Sequence, residues 1–168
     1  MKSPGLVIAL VIGVWLSDAA TAQLLQDKIR KAPSPDTAWY MVDRENLIAK
    51  FAEGKLGQTI NRGECTDLVD AALAAVKAKP GSNYVWGRAV TTPRRGHIIQ
   101  FWDTQFTHKD GTWGTAKGGQ HTAIVASAKG TEVTLVHQND GEKKVSKRTI
   151  DLAWSHTGTY KIYQAVRP

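Results

Sequence analysis

The apolar positions of this chain change their period once, near Gly96. Before it they recur at three- and four-residue spacing, which predicts helices. After it they run in short β-branched stretches bounded by Gly, Asp and Lys, which predicts strands. In "TAWYMVDRENLIAKFAEG" the residues Met41, Leu47, Ile48 and Phe51 give an apolar face, with Asp36 as the expected cap and Gly54 as the stop. A second helix follows "NRGE". Cys65, Leu68, Val69, Ala72, Leu73 and Val76 share its core face, and "KPG" ends it at Pro80 and Gly81. Asn61 is the expected N-cap, with Glu64 closing a capping box three residues on. Cys65 therefore falls in the first helical turn.

The later half reads as strands in "HIIQFW", "HTAIVASA", "TEVTLVHQ", "KKVSKRTIDL" and "TYKIYQAVRP", with "THKDGTWGTAKGGQ" as a long polar loop. Helices first and antiparallel strands afterwards is an α+β plan. "KG" between the second and third strands is a hairpin signal. A three-residue loop at Lys129–Thr131 sets His121 opposite Asn139, with His137 diagonal on the same face as Ala123, Val125, Val133 and Leu135. If the cysteine helix packs on that face, Cys65 meets His121 at the end of the sheet.

At 168 residues the chain suits one compact domain. Its first 22 residues read as a secretory signal: Lys2, the apolar run "GLVIALVIGVWL", then "SDAATA" with cleavage expected after Ala22. The protein is then secreted or periplasmic, with no integral membrane segment after cleavage. Residues 23–53 read as an N-terminal helical segment and 54–168 as the domain that carries Cys65. Lys and Arg exceed Asp and Glu by seven, which favours an anionic partner. No nucleic-acid motif is present, so that class of partner is set aside.

Export sharpens the reading of the single cysteine. One cysteine forms no internal disulfide, so Cys65 is either a buried filler, a link to another chain or a reactive thiol. The first turn of a helix favours a thiolate. A Cys–His–polar set supplies nucleophilic catalysis: His121 takes the thiol proton, Asn139 or His137 orients the imidazole, and backbone N–H groups at the helix start serve the oxyanion. Gln58 and Glu64 are candidates on the oxyanion and substrate side. Trp86, Trp102 and Trp113 are candidates for a groove, although aromatics at strand spacing also suit a core. Cys65, His121 and His137 are ligand types zinc accepts, but their spacing matches no zinc signature, and neither a metal nor a cofactor is expected.

"GECTDLV", "YVWG", "GHIIQFW", "HTAIV" and "HQN", in that order, resemble the cysteine- and histidine-dependent amidohydrolase/peptidase family, CHAP. The likeness covers about residues 54–168. It implies a papain-like fold, Cys65 as nucleophile, His121 as general base, and peptidoglycan amide or peptide bonds as substrate, with peptidoglycan or another anionic wall polymer as partner. The family often has "EQN" where this chain has "HQN", so His137 stands in place of an acidic orienting residue. It also often has "GD" at the place of Gly96–His97. The Asp-rich calcium loop of some members has no counterpart in "GKLGQTINRGEC". The expected function is a secreted cysteine amidase or endopeptidase. The alternatives are the same chemistry on a protein or small amide, and an inactive wall-binding module of the same fold.

Overall fold

The structure is a computed structural model that describes residues 43–115 and 118–168. The expected signal segment and residues 23–42 of the expected N-terminal helical segment lie outside the described residues. Helix α1 spans Arg44–Glu53 and α2 spans Cys65–Ala75. Eight strands follow: β1 Arg88–Val90, β2 Ile98–Trp102, β3 Gln105–His108, β4 Gly111–Gly114, β5 Gln120–Lys129, β6 Glu132–Asp140, β7 Glu142–Asp151 and β8 Thr159–Gln164. Six of them form an antiparallel sheet in the order β1-β8-β2-β5-β6-β7. The α+β class and the placement of the cysteine at a helix start are as the sequence predicts.

Both helices begin later than the sequence predicts. Asp43, not Asp36, caps α1, its carboxylate accepting the Asn46 N–H at 3.0 Å. Glu64, not Asn61, is the N-cap of α2. Asn61 sits in the left-handed region at φ 50°, where the chain is still turning. The end of α2 also comes earlier, because Lys77 adopts φ 53° and the Ala78 N–H closes onto the Leu73 carbonyl.

The sheet has an apolar layer on each face. On one face Ile98, Ile124, Ala126, Val136, Val145 and Tyr163 pack against Ile48 and Ala52 of α1 and Leu68, Val69, Ala72 and Leu73 of α2. On the other, Ile99, Phe101, Ala123, Val125, Leu135 and Ile150 pack under Phe106 and Trp113. Those two aromatics belong to a hairpin, β3–β4, that begins just before the stretch expected to be a polar loop and runs into it. Each strand is only four residues long, and the buried Phe106 and Trp113 are too few to show a period.

Strand parity is reset twice by bulges. The β5–β6 turn pairs Lys129 with Glu132, a two-residue loop rather than the expected three. A bulge between Val125 and Ser127 then restores Ala123↔His137, the offset that the longer loop would have given. A second shift lies between Gln138 and Asp140 on the β6–β7 ladder, with Asn139 at φ 69°.

The docking of α1 depends on Gly96, which enters β2 at φ 83° with its N–H on the Val125 carbonyl. Arg95 beside it reaches Glu53 at 2.6 Å and Asn46 at 2.9 Å. A Cβ on Gly96 would lie 1.9 Å from the Glu45 carbonyl oxygen. Gly96→Ala should therefore cost on the order of 3 kcal/mol or more in urea unfolding. Gly130→Ala, which has the same sign of φ but open space around it, should cost only about 1 kcal/mol. Equal costs for the two would mean that the close approach of α1 does not matter.

Candidate active site

The chain is fastened on both sides of the helix start before the thiol is reached. The Asp67 carboxylate accepts the N–H groups of Glu64 at 3.1 Å and Arg62 at 3.0 Å, and the Arg62 guanidinium at 2.8 Å. This caps the first turn from within. From the sheet, the fully buried Gln138 makes three hydrogen bonds to the same loop. Its Oε1 accepts the Ile60 N–H at 2.7 Å, and its Nε2 donates to the carbonyls of Ile60 at 3.1 Å and Glu64 at 2.8 Å. Cys65, the next residue, is thereby held against β5.

Cys65 is half-buried. Its sulfur lies beside Thr122 and Thr66, whose polar groups favour the charged form. Thr122 lies one residue beyond the last β5–β6 pair, where the ladder opens. Its hydroxyl donates to Gln100 Oε1, which also accepts the Trp86 indole N–H at 3.0 Å. Burial pushes the Cys65 thiol up, and the contacts from Thr122 and Thr66 only partly offset this. The resting group is therefore a neutral thiol, contrary to the expectation from its helical position alone.

His121 precedes Thr122 and faces the opposite way. α2 covers the Ile124 and Ala126 face, not the Ala123 and Val125 face on which the sequence argument places it. Both faces are apolar, so parity alone does not distinguish them. Consequently no hydrogen bond joins Cys65 to His121 among the described residues. His121 Nε2 instead pairs with His137 Nδ1 at 2.8 Å, with the rings perpendicular at 5.1 Å between centroids. Trp113 meets both rings edge-on, at 5.9 and 5.8 Å. His137 Nε2 is buried without a hydrogen bond, 3.7 Å from Asp140 Oδ2. That oxygen accepts the Trp113 indole N–H and the Arg148 guanidinium, each at 3.1 Å.

These environments settle the charges. Burial, with His137 beside it, pulls His121 down to about 4, so its imidazole is neutral at pH 7. Burial lowers His137 as well. Burial raises Asp140, but the Trp113 and Arg148 donors and His137 outweigh it and hold the carboxyl below its usual range.

The remaining expected residues lie elsewhere. Asn139 is exposed and donates to Glu64 Oε2 at 3.0 Å, so it holds the loop and not the imidazole. The bulge at this position turns it off the histidine face. Glu64 spends its other oxygen on Lys143 at 3.1 Å. Gln58 folds back onto the Gly54 carbonyl at 3.3 Å. Trp86 is buried in the helix-side core, and Trp102 is partly buried against it. Trp113 is the aromatic that reaches the histidines. The two imidazoles spend facing nitrogens on each other, and among the described residues no group of three metal-ligating side chains converges.

Thr122, Gln138, Asp140 and Arg148 were not singled out by the sequence argument. Gln138 carried a signal, being a polar residue at an inward position of a strand. Asp140 carried none, because its face is set by the bulge.

The sequence matches the AIM3/BBC1 cysteine proteinase-fold domain over residues 45–168. A curated relative, altered inheritance of mitochondria protein 3 of Debaryomyces hansenii, is 27% identical over 125 residues. That alignment takes in 61% of this chain and 14% of the relative, so the chain spans a small part of that protein's length. Two solved structures, of Ly7917 and of Ly7917 with the hydrolyzing product of MDP, share 13% and 14% identity with TM-scores of 0.49 and 0.48. Each covers 71% of this chain, and the chain covers 61% and 62% of them. With residues 45–168 matched in one continuous span, the chain belongs to the AIM3/BBC1 cysteine proteinase-fold family.

Proposed function

We propose that this protein is a cysteine hydrolase of amide bonds, with Cys65 as nucleophile and His121 as proton acceptor. One observation carries the reading. The unpaired cysteine opens a helix docked on β5 at Thr122, and the preceding residue is an imidazole held by a second imidazole. The matched cysteine proteinase-fold family supports a thiol nucleophile in this fold.

The neutral states of both groups define the mechanism. His121 Nδ1 makes no hydrogen bond and is not sealed from solvent. It is free to accept the thiol proton as sulfur attacks the carbonyl carbon. The charged pair forms on reaction rather than beforehand. N–H groups at the start of α2 receive the oxyanion. His121 then returns the proton to the leaving amine, and water hydrolyses the thioester.

The substrate is proposed from the CHAP-like motifs and the net charge of +7 as a peptidoglycan peptide or another anionic wall polymer reached after export. A protein or small amide is the alternative substrate for the same chemistry. One observation favours a different class, a binding module that keeps the fold without turnover: the half-buried thiol lies against Thr122 and not His121.

Under reducing conditions, the protein should cleave peptidoglycan or peptide amides. Cys65→Ala and His121→Ala should each lower turnover by about 10²-fold or more. Wall binding that is unchanged in Cys65→Ala, with no turnover in either protein, would establish the binding module instead.

Alkylation of native Cys65, followed by mass, should accelerate with an apparent pKa above about 8.5, the ordinary cysteine value. Rapid labelling well below that pH would show that a thiolate pre-exists and would overturn the neutral-pair mechanism.

Stability should depend on His121 with a definite sign. Its native pKa of about 4 lies below the unfolded value of about 6.5. The contribution is complete above about pH 6.5 and declines as pH falls towards 4, where the unfolded chain takes up a proton that the native site refuses. The slope is up to ~1.4 kcal/mol per pH unit. Urea unfolding at pH 7 and 4.5 should show a smaller loss for His121→Gln than for the parent protein. Equal losses would mean that His121 is not buried as a neutral ring.

A further inference from the structure

We infer that Asp140 is the positioning carboxylate of this site, fixing the tautomer of His137 and, through it, that of His121. The inference rests on the reading of His121 as proton acceptor. It starts from an unmet polar atom. His137 Nε2 is buried, has no hydrogen bond, and has the Asp140 carboxylate 3.7 Å away.

The two neutral tautomers of His137 have opposite consequences. With the proton on Nε2, an N–H dipole faces the carboxylate. Nδ1 then carries a lone pair and accepts from His121 Nε2–H across the 2.8 Å contact. His121 Nδ1 is left with a lone pair, which is what a thiol proton requires. With the proton on His137 Nδ1, a nitrogen lone pair faces the carboxylate, which is repulsive. His121 Nε2 must then accept, its own proton sits on Nδ1, and that nitrogen can take nothing from Cys65. One carboxylate thus selects the competent arrangement two rings away.

The charged and titratable groups around the pair are few. Asp140 lies on β6 with His137, Arg148 on β7 donates to the same carboxylate oxygen, and β4 contributes the uncharged Trp113. The two donors hold Oδ2 in place, and Arg148 also lies over the Trp113 ring at 5.8 Å. The bulge at Asn139 makes this possible. It rotates Asn139 out to Glu64 and brings Asp140 onto the histidine face. A carboxylate displaced by one imidazole thereby serves where CHAP-like sequences carry an acidic residue at the position of His137.

The test is the tautomer of each ring, read from long-range ¹H–¹⁵N spectra of the full protein at pH 7.5, without substrate. Both His137 and His121 should carry their proton on Nε2. In Asp140→Asn, whose amide can donate to His137 Nε2, both should move to Nδ1. Turnover should fall by at least about 10²-fold with the fold retained. His137 protonated on Nδ1 in the parent protein overturns the inference, even if Asp140→Asn does not fold. So do unchanged tautomers in a folded Asp140→Asn. Correct tautomers without turnover in the parent protein would instead count against the hydrolase reading and leave the role of Asp140 standing.

Discussion

The buried amide of Gln138 is the constraint on which the site depends. A glutamine sealed from water needs partners, because each unmet polar group costs about 1–3 kcal/mol. Gln138 finds three, all in the loop that ends at Cys65. The Ile60 N–H in turn takes Gln138 Oε1 as its acceptor, so the requirement is mutual. The adjacent residue on the same strand, His137, faces the other way and holds His121. Two consecutive residues of β6 thus fix the Cys65 loop from one face of the sheet and the His121 imidazole from the other. Asp67 completes the arrangement from the helix side by capping the turn that Cys65 opens.

The chain's periodicities made the layers legible, and the bulges hid the rest. The apolar stripe Leu68, Val69, Ala72, Leu73 and the alternation along β5 and β6 led directly to a helix on an antiparallel sheet. The first residue of that helix being Cys65 was within reach of the same reasoning. Its cap was not, because Asn61 is the preferred N-cap type and Glu64 is not, and only the contacts of Gln138 and Asp67 move the helix start to Glu64. The register up to Ala123↔His137 was correct for the wrong cause: a bulge near Ala126 compensates for a shorter turn. At Asn139 nothing compensates. Parity in an unbroken strand puts that side chain beside His121, and one extra residue hands the position to Asp140. A bulge leaves no mark on apolar periodicity when it falls in a polar stretch such as "HQND".

The electrostatics follow from burial more than from the helix. A helix start favours a thiolate by about 0.3–1 kcal/mol at an exposed site. Removing a charged group from water costs several times that, and Cys65 rises accordingly. The same cost keeps both imidazoles neutral, His121 far below its ordinary value. Such a site has no use for a carboxylate as a permanent counter-ion to an imidazolium. What remains for Asp140 is a directional role: its charge acts on the N–H dipole of a neutral ring. Neutral groups fixed in direction suit proton transfer during attack, since no charge has to be buried until the carbonyl oxygen and its N–H donors share it. If Cys65 is the nucleophile, its contact with Thr122 belongs to the resting state, and attack requires the sulfur to turn toward Nδ1 of His121, the residue before Thr122.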